Sequence, residues 1–322
     1  MRLSAADCLR RGWTNLSANW ELVVIQWLES FLVMALLVLG LGLPLIVLGM
    51  NVLGTNALAS GRGAAREIAA ALGRMAYVSP ALLMGLAAML AVWLLALLLH
   101  CYFQACTFGV LASAERQALP GPRRDRRLFR TFSRRDFLGW GGLYVWRFLG
   151  LRVLFWSLTP LLAAVVVLWL IFLGLGGSEW GAPAVFGIGC GGALPVGFLA
   201  LALGLWFNVA QADLACDGSG VRQASRRGLD VLGRRLGAVL ALFVLALGAA
   251  LALAAVFLPL SAMVRSLLAG APRWQALVQL LLLFLQALPN TLLAMVLAGS
   301  LVALVRSERL SEIRRTSEVQ TA

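Results

Sequence analysis

Long apolar segments separated by short polar ones dominate this chain. Six of the segments are each long enough to hold the roughly 20 apolar residues that an α-helix needs to cross the hydrocarbon core of a bilayer. The pattern therefore predicts an all-α integral membrane protein whose six spanning helices lie near residues 23–50, 80–112, 151–175, 185–212, 236–260 and 277–305.

Two further segments are clearly amphipathic, and shorter interfacial segments are predicted within 51–79 and over 137–149. In residues 220–235, apolar side chains recur at helical spacing while arginines cover most of the opposite face. Residues 4–20 show the same pattern, and Ser4 with Asp7 forms a capping box that starts a helix. Such helices suit the bilayer interface, where arginine side chains meet lipid phosphates. We expect residues 220–235 to continue without a break into span five.

The two amphipathic segments align with each other. A pair of arginines and a glycine precede an apolar residue and, three positions later, a leucine. These residues are Arg10, Arg11, Gly12, Trp13 and Leu16 in the first copy, and Arg226, Arg227, Gly228, Leu229 and Leu232 in the second. Internal duplication explains the match, and so do the ordinary needs of any helical bundle. The sequence leaves both explanations open.

Composition supports residence in a membrane. The 322 residues are 61% hydrophobic and only 13% charged, whereas soluble domains are about 45–50% apolar and about 25% charged. The formal net charge of +13 comes from arginine alone, because the sequence contains no lysine. In a soluble protein this charge would suggest nucleic acid, but here the arginines flank apolar spans. We therefore expect anionic lipid headgroups as partners and no nucleic acid.

The distribution of arginine predicts the orientation. Basic residues concentrate at the N-terminus, in a loop over 115–136, before span five, and in a tail over 306–322. All four regions lie on one side of a six-span arrangement, so the positive-inside rule places both termini in the cytoplasm. The short connection over 176–184 then faces outward. The prediction is a single polytopic domain, residues 1–322, built from three helical hairpins.

Eight residues of the amphipathic segments are predicted to lie at the membrane interface and to meet lipid headgroups on the cytoplasmic side. They are Arg10, Arg11, Trp13, Trp20, Arg222, Arg226, Arg227 and Arg234.

Span six carries a polar face. Gln275, Gln279, Gln286 and Asn290 fall within about 60° on a helical wheel. Polar side chains in hydrocarbon need partners, so this face should point into the bundle, a cavity or another subunit. Hydrogen bonding between helices is the favoured interpretation, and a substrate-lining face is the alternative. A kink is expected at the neighbouring Pro289.

Candidate catalytic chemistry is sparse. His100 is the single histidine, and the five cysteines show no CxxC spacing. A metal site needs three or four ligands, so no metal or other cofactor is predicted. Paired acids or a Ser/His arrangement at membrane depth are also not visible. An intramembrane enzyme is therefore disfavoured.

The sequence Ala212-Asp213-Leu214, followed by residues 221–229, resembles a loose superfamily of six-span membrane domains. This superfamily includes the membrane domain of some glycerophosphoryl diester phosphodiesterases and related bacterial proteins without assigned function. Residues 9–13 and 19–20 look like the opening of the same family. The resemblance implies a bacterial inner-membrane protein and supplies no catalytic residues, and nothing in this chain matches the soluble diesterase domain.

Two functions remain as hypotheses. The first is a non-catalytic accessory or scaffold subunit that assembles with other membrane proteins or with itself. The second is a transporter or permease for a small molecule or a lipid, suggested by the polar face of span six and by the repeated segments.

Overall fold

The computed structural model describes residues 3–42, 80–118 and 125–321, and this part of the chain is helical without strands. Short turns over Val38–Gly42 and Arg126–Phe129 adopt π and 3₁₀ geometry. The predicted amphipathic stretch within 51–79, the end of span one and part of the basic loop lie outside the described residues. The six α-helices are α1 (Ala5–Ala18), α2 (Glu21–Leu37), α3 (Pro80–Gln117), α4 (Arg134–Asp217), α5 (Val221–Leu267) and α6 (Pro272–Thr321).

Among the described residues, six helical stretches are long and apolar enough to cross a membrane, in agreement with the number predicted from hydropathy. They are Glu21–Gly40, Met84–Gln117, Arg134–Trp169, Pro195–Asp217, Val221–Leu267 and Pro272–Glu318. The hairpin topology and the orientation of the termini stay predictions.

Helix α4 includes the connection over 176–184 that the sequence predicts as a loop. It is nevertheless not one straight rod. The rings of Phe155 and Phe207 lie 4.5 Å apart between centroids, whereas a straight α-helix would separate two residues so distant in sequence by about 80 Å. The helical backbone therefore bends back on itself, and the two ends of α4 pack together.

Contacts between residues divide the chain into two compact units. The main unit comprises Met1–Ile25 and Gln104–Ala322, and the small unit comprises Gln26–Phe103. Within the small unit, the π turn that follows α2 packs closely on α3, because a Cβ added at Gly40 would lie 2.1 Å from Cγ1 of Val92.

The described residues of the main unit include three amphipathic segments, and the second overlaps the interfacial segment predicted over 137–149. We name them segment A (4–20), segment B (133–149) and segment C (220–235). Ser4 and Ser133 cap their helices identically, each accepting a hydrogen bond of 3.1 Å from the backbone N–H three residues on. The helix start predicted at Ser4 is thus confirmed. Gly220 occupies the N-cap position of segment C.

A buried glycine follows each N-cap by the same interval, as Gly12, Gly141 and Gly228. At Gly12, an added Cβ would lie 2.6 Å from the backbone nitrogen of Ser300 in α6. At Gly228 it would lie 3.1 Å from the Cα of Ala210 in α4. Glycine at these positions lets helix backbones approach each other closely.

Segment C does not join span five without a break. Arg235 has φ −128° and ψ 23°, which interrupts the helical backbone of α5. Its guanidinium donates to the backbone oxygen of Leu3 and lies 4.0 Å from the carboxylate of Glu308. These contacts hold the side chain of Arg235 inside the protein. The expectation of a continuous junction was therefore wrong.

The end of α6 differs from expectation. Its helix includes Pro289 and continues to Thr321, and the kink expected at Pro289 stays a prediction. Residues at the start of the predicted tail are buried, including Ser307, Glu308 and Ser311. The first turns of this region thus belong to the core rather than to a free tail.

The close approach at Gly12 predicts a selective loss of stability. In Gly12→Ala, the new methyl group would lie 2.4–2.7 Å from atoms of Ser300 and Val296, two of which are backbone atoms that cannot rotate away. We expect a loss of about 1–3 kcal/mol, measured by thermal unfolding in detergent.

The matched control is Gly233→Ala in segment C, where an added Cβ meets nothing within 4 Å. Helix propensity predicts unchanged stability or a gain of up to about 1 kcal/mol. Equal unfolding temperatures for the two variants would contradict the described packing of α1 on α6.

Candidate functional site: three buried ion pairs

Three carboxylates lie buried where α3, α4 and α6 meet. Glu115 is near the end of α3, Asp213 near the end of α4, and Glu308 near the end of the buried part of α6; each is 1% exposed. The residues before each carboxylate are mostly small or apolar, which lets the three helix ends approach one another. A buried charge is unfavourable unless a cation and hydrogen bonds replace the lost water. Each carboxylate therefore requires a partner.

An arginine lies beside each of the three carboxylates. Arg11 donates to Glu115 through Nη2 at 2.8 Å and through Nε at 3.2 Å, in a two-pronged contact. Arg309 donates to Asp213 through Nε at 3.1 Å and through Nη2. Arg235 lies 4.0 Å from Glu308 and is the loosest of the three. We call these contacts the three buried ion pairs.

The amphipathic segments are arranged cyclically around the helix ends. We call each amphipathic segment together with the two spans that follow it a repeat. Each segment packs on the end of a helix from the preceding repeat, and segment A packs on the last repeat. Segment A contacts α6 through Gly12, segment B contacts α3 through Trp140 on Gly109, and segment C contacts α4 through Gly228 on Ala210.

Each segment then reaches the helix end of its own repeat. Arg11 of segment A binds Glu115 in α3. Arg147 of segment B donates to the backbone oxygen of Gly218, just after α4. Arg235 of segment C approaches Glu308 in α6. The correspondence detected between two segments in the sequence thus extends to three packing units of the main unit.

The three helix ends also contact one another directly. Arg306 donates to the backbone oxygen of Arg116 at 2.9 Å, which joins α6 to α3. Arg116 donates to the backbone oxygen of Cys216 at 3.5 Å, which joins α3 to α4. Because backbone oxygens accept these bonds, they hold the positions of the helix ends. The ion pairs balance the charges of the same ends.

Asn19 connects segment A to the chain before segment B. Its side-chain oxygen accepts from the backbone N–H groups of Thr131 and Phe132 at 3.0 and 2.9 Å. Its side-chain nitrogen donates to the backbone oxygen of Phe129 at 2.7 Å. The side chain is fully buried. A single asparagine at a helix end has no distinctive spacing, so the sequence does not reveal this connecting role.

The predicted interface residues of segment A divide into two groups. Trp13 and Trp20 are 54% and 55% exposed, and Arg10 is exposed as well. Arg11 is only 9% exposed and is held by Glu115. The prediction that Arg11 meets lipid headgroups was therefore wrong, since its donors point at a buried carboxylate inside the bundle.

The arginines of segment C also differ from one another. Arg227 pairs with Asp217 at 3.1 Å, and Arg234 pairs with Glu312. Both pairs are well exposed, so each contributes little to stability. Arg222 and Arg226 are exposed on the same segment.

The polar face of span six has one member with defined interhelical contacts. Gln279 donates to the backbone oxygen of Ser261 in α5 at 2.8 Å and accepts from the Ser261 hydroxyl at 2.9 Å. Gln275 and Gln286 are half-buried, and Asn290 is exposed. The face therefore does not act as one unit: Gln279 links two helices, while Asn290 faces outward.

A separate polar cluster lies in the small unit. Glu29 is 3% exposed, and one of its oxygens lies 3.0 Å from Nδ1 of His100. The side-chain amide of Gln26 donates to the other oxygen. Glu29 lies in α2 and His100 in α3, both within candidate membrane spans. Their separation in sequence hid this pairing, which only the packing of the two helices reveals.

The described cysteine side chains behave as small apolar residues. Cys8 is fully buried, and burial raises the pKa of its thiol to about 12. It is therefore protonated at neutral pH and unreactive. Among the described residues, no group of three or more His, Cys, Asp or Glu side chains could hold a metal ion.

Comparison with known proteins returned no match to a protein-family model, a curated protein or a solved structure. The resemblance to six-span membrane domains stays a prediction.

The buried pair of Arg11 and Glu115 predicts a large effect of removing one charge. In Glu115→Gln the Arg11 guanidinium loses its carboxylate while remaining buried, so we expect a loss of about 3–5 kcal/mol. The change should appear as a lower unfolding temperature in detergent.

Two controls accompany this variant. Glu312→Gln removes the same charge from the exposed pair with Arg234, and its effect should stay within about 1 kcal/mol. The double variant R11Q/E115Q should recover part of the loss, because neither charge is then left unpaired. Equal effects of Glu115→Gln and Glu312→Gln would contradict a structural role for the buried pair.

Proposed function

We propose that this protein is a non-catalytic integral membrane protein that acts as an accessory or scaffold subunit in a larger membrane assembly. The observation that carries the proposal is the pairing of the buried carboxylates with arginines. All three buried carboxylates at the helix ends face arginines, an arrangement suited to holding helices together. An acid–base catalyst instead needs a carboxyl group that is able to exchange its proton with a substrate.

The surfaces of the spans favour partners within the bilayer. Helix α5 exposes Leu247, Leu251 and Val256 at 59%, 61% and 64%, and α6 exposes Leu280 at 65%. These side chains lie far along the chain from the polar helix ends. Such surfaces suit lipid or the helices of another membrane protein.

We propose a location in the bacterial inner membrane, with both termini in the cytoplasm and anionic lipid at that face. The positive-inside rule supports this orientation, because the arginine-rich segments and the three buried ion pairs occur at the same helix ends. Exposed Trp13, Trp20 and Trp146 occur in or beside these segments, as expected for residues at the headgroup level.

Cross-linking in the native membrane tests the scaffold proposal. A single cysteine introduced at exposed Leu251 should form cross-links to another membrane chain, either a partner or a second copy, identified by mass spectrometry. A cysteine introduced at Val239, which is fully buried in the same helix, should form none. A protein that purifies from native membranes alone and transports a substrate by itself would contradict the proposal.

The second candidate function is a transporter or permease. The cluster of Glu29, Gln26 and His100 favours it, because ionisable side chains inside membrane spans mark ion and proton pathways by default. Neither Glu29 nor His100 was predicted to form such a pair, so this observation is independent of the polar face of span six.

Reconstituted vesicles test the transporter alternative. If the cluster carries protons, wild-type protein should conduct them under an imposed membrane potential, measured with an internal pH-sensitive dye. Glu29→Gln should abolish the flux, because the amide cannot take up and release a proton at neutral pH. The control Asp230→Asn changes an exposed acid of segment C and should leave the flux unaltered. Absence of flux in the wild type would count against this alternative.

A further inference from the structure

A groove lies between the first half of α4 and the start of α5, both in the main unit. It has a volume of about 600 Å³. One wall is formed by α4 and the other by segment C. The groove's lining includes Gly150, Val153, Leu154, Arg222 and Arg226.

The groove has an apolar side and a cationic side. Val153 is 53% exposed, and Leu154 beside it is half-buried. Arg222 and Arg226 are one helical turn apart, so their side chains leave the same face of segment C. An amphiphile with a negative charge at one end matches both sides.

The two arginines of the groove differ from the other arginines of segment C. Arg227 and Arg234 pair with carboxylates, and Arg235 lies beside one. Within the described part of the chain, no carboxylate lies within ion-pairing distance of Arg222 or Arg226. Their positive charge is therefore available to a ligand.

The walls of the groove are fixed by the fold. The indole Nε1 of Trp206 donates to the backbone oxygen of Ser225 at 3.0 Å, which holds segment C against α4. At Gly150, an added Cβ would lie 3.0 Å from Cγ2 of Val221, so the two helices nearly touch at the base. The arginines thus project from a supported helix instead of a loop.

We propose that this groove binds one anionic phospholipid, whose phosphate is held by Arg222 and Arg226 and whose acyl chain lies along Val153 and Leu154. The proposal rests on the membrane residence in the proposed function, and it adds a defined lipid site to general attraction by surface charge. The groove lies where span three begins and just before span five, so both ends of a lipid meet surfaces of matching polarity.

Native mass spectrometry tests this site. The protein is reconstituted in vesicles of phosphatidylcholine with a minor fraction of phosphatidylglycerol, extracted in mild detergent, and examined for retained lipid. Wild-type protein should keep one phosphatidylglycerol molecule in preference to phosphatidylcholine. R222Q/R226Q should bind it at least about tenfold more weakly, because each arginine near a membrane surface contributes about fivefold.

Two further variants separate a specific site from overall charge. R265Q/R273Q removes the same charge from exposed arginines around the connection between α5 and α6, and it should retain the lipid as the wild type does. R222K/R226K keeps the charge and should restore most of the binding. Equal lipid loss in R222Q/R226Q and R265Q/R273Q, or equal retention in both, would overturn the proposal.

A measurement on the wild-type protein tests the site without any substitution. A phosphatidylglycerol analogue with a photoreactive group in its acyl chain should cross-link to peptides that contain 150–157 and 221–226. Cross-links confined to other regions would overturn the site. Binding of inorganic phosphate without retained lipid would also overturn it, since the groove would then serve a soluble anion.

These results are distinguishable from those that test the scaffold function. Loss of cross-links to partner chains would contradict the scaffold while leaving lipid retention unchanged. Failure to retain phosphatidylglycerol would remove the lipid site without altering partner contacts.

Discussion

A carboxylate buried away from water must find a cation and hydrogen-bond donors in the protein, because the desolvation penalty otherwise exceeds the gains of folding. Glu115, Asp213 and Glu308 impose this requirement together at the helix ends of the main unit. An apolar contact tolerates sliding, but the two-pronged contact of Arg11 on Glu115 fixes distance and direction at once. The positions of segments A and C follow from this requirement, since they supply Arg11 and Arg235.

Close backbone approach complements the ion pairs. Gly12 lies directly against α6, and Gly228 lies directly against α4. A larger side chain at Gly12 would push segment A outward and lengthen the distance from Arg11 to Glu115. In segment A, the glycine thus sets the depth of the segment, and the neighbouring arginine fixes its position against the end of α3.

The resulting protein has its defined polar chemistry at the helix ends and largely apolar outer surfaces along its spans. In the main unit this arrangement suits a rigid frame that presents those surfaces to lipid and to other membrane helices. Two places depart from it. The groove at Arg222 and Arg226 offers positive charge that no described carboxylate pairs with, and the Glu29–His100 contact of the small unit places ionisable groups inside candidate spans. A frame alone requires neither feature.

Hydropathy alone determined the all-helical class and the number of spans, because the need to satisfy every backbone hydrogen bond in lipid leaves a long apolar segment little choice but helix. The helix start at Ser4 was also predictable from the sequence, because it depends only on residues three positions apart. Tertiary structure decided the roles of individual polar residues. Arg10 and Arg11 are neighbours of identical chemistry, yet one is exposed and the other is buried on Glu115. The correspondence of segment B with the other two segments became evident only in three dimensions, since Trp140 occupies the position of Arg11 and Arg227. The physical reason is that burial and pairing depend on which helix ends meet, and a residue's own sequence neighbourhood does not contain that information.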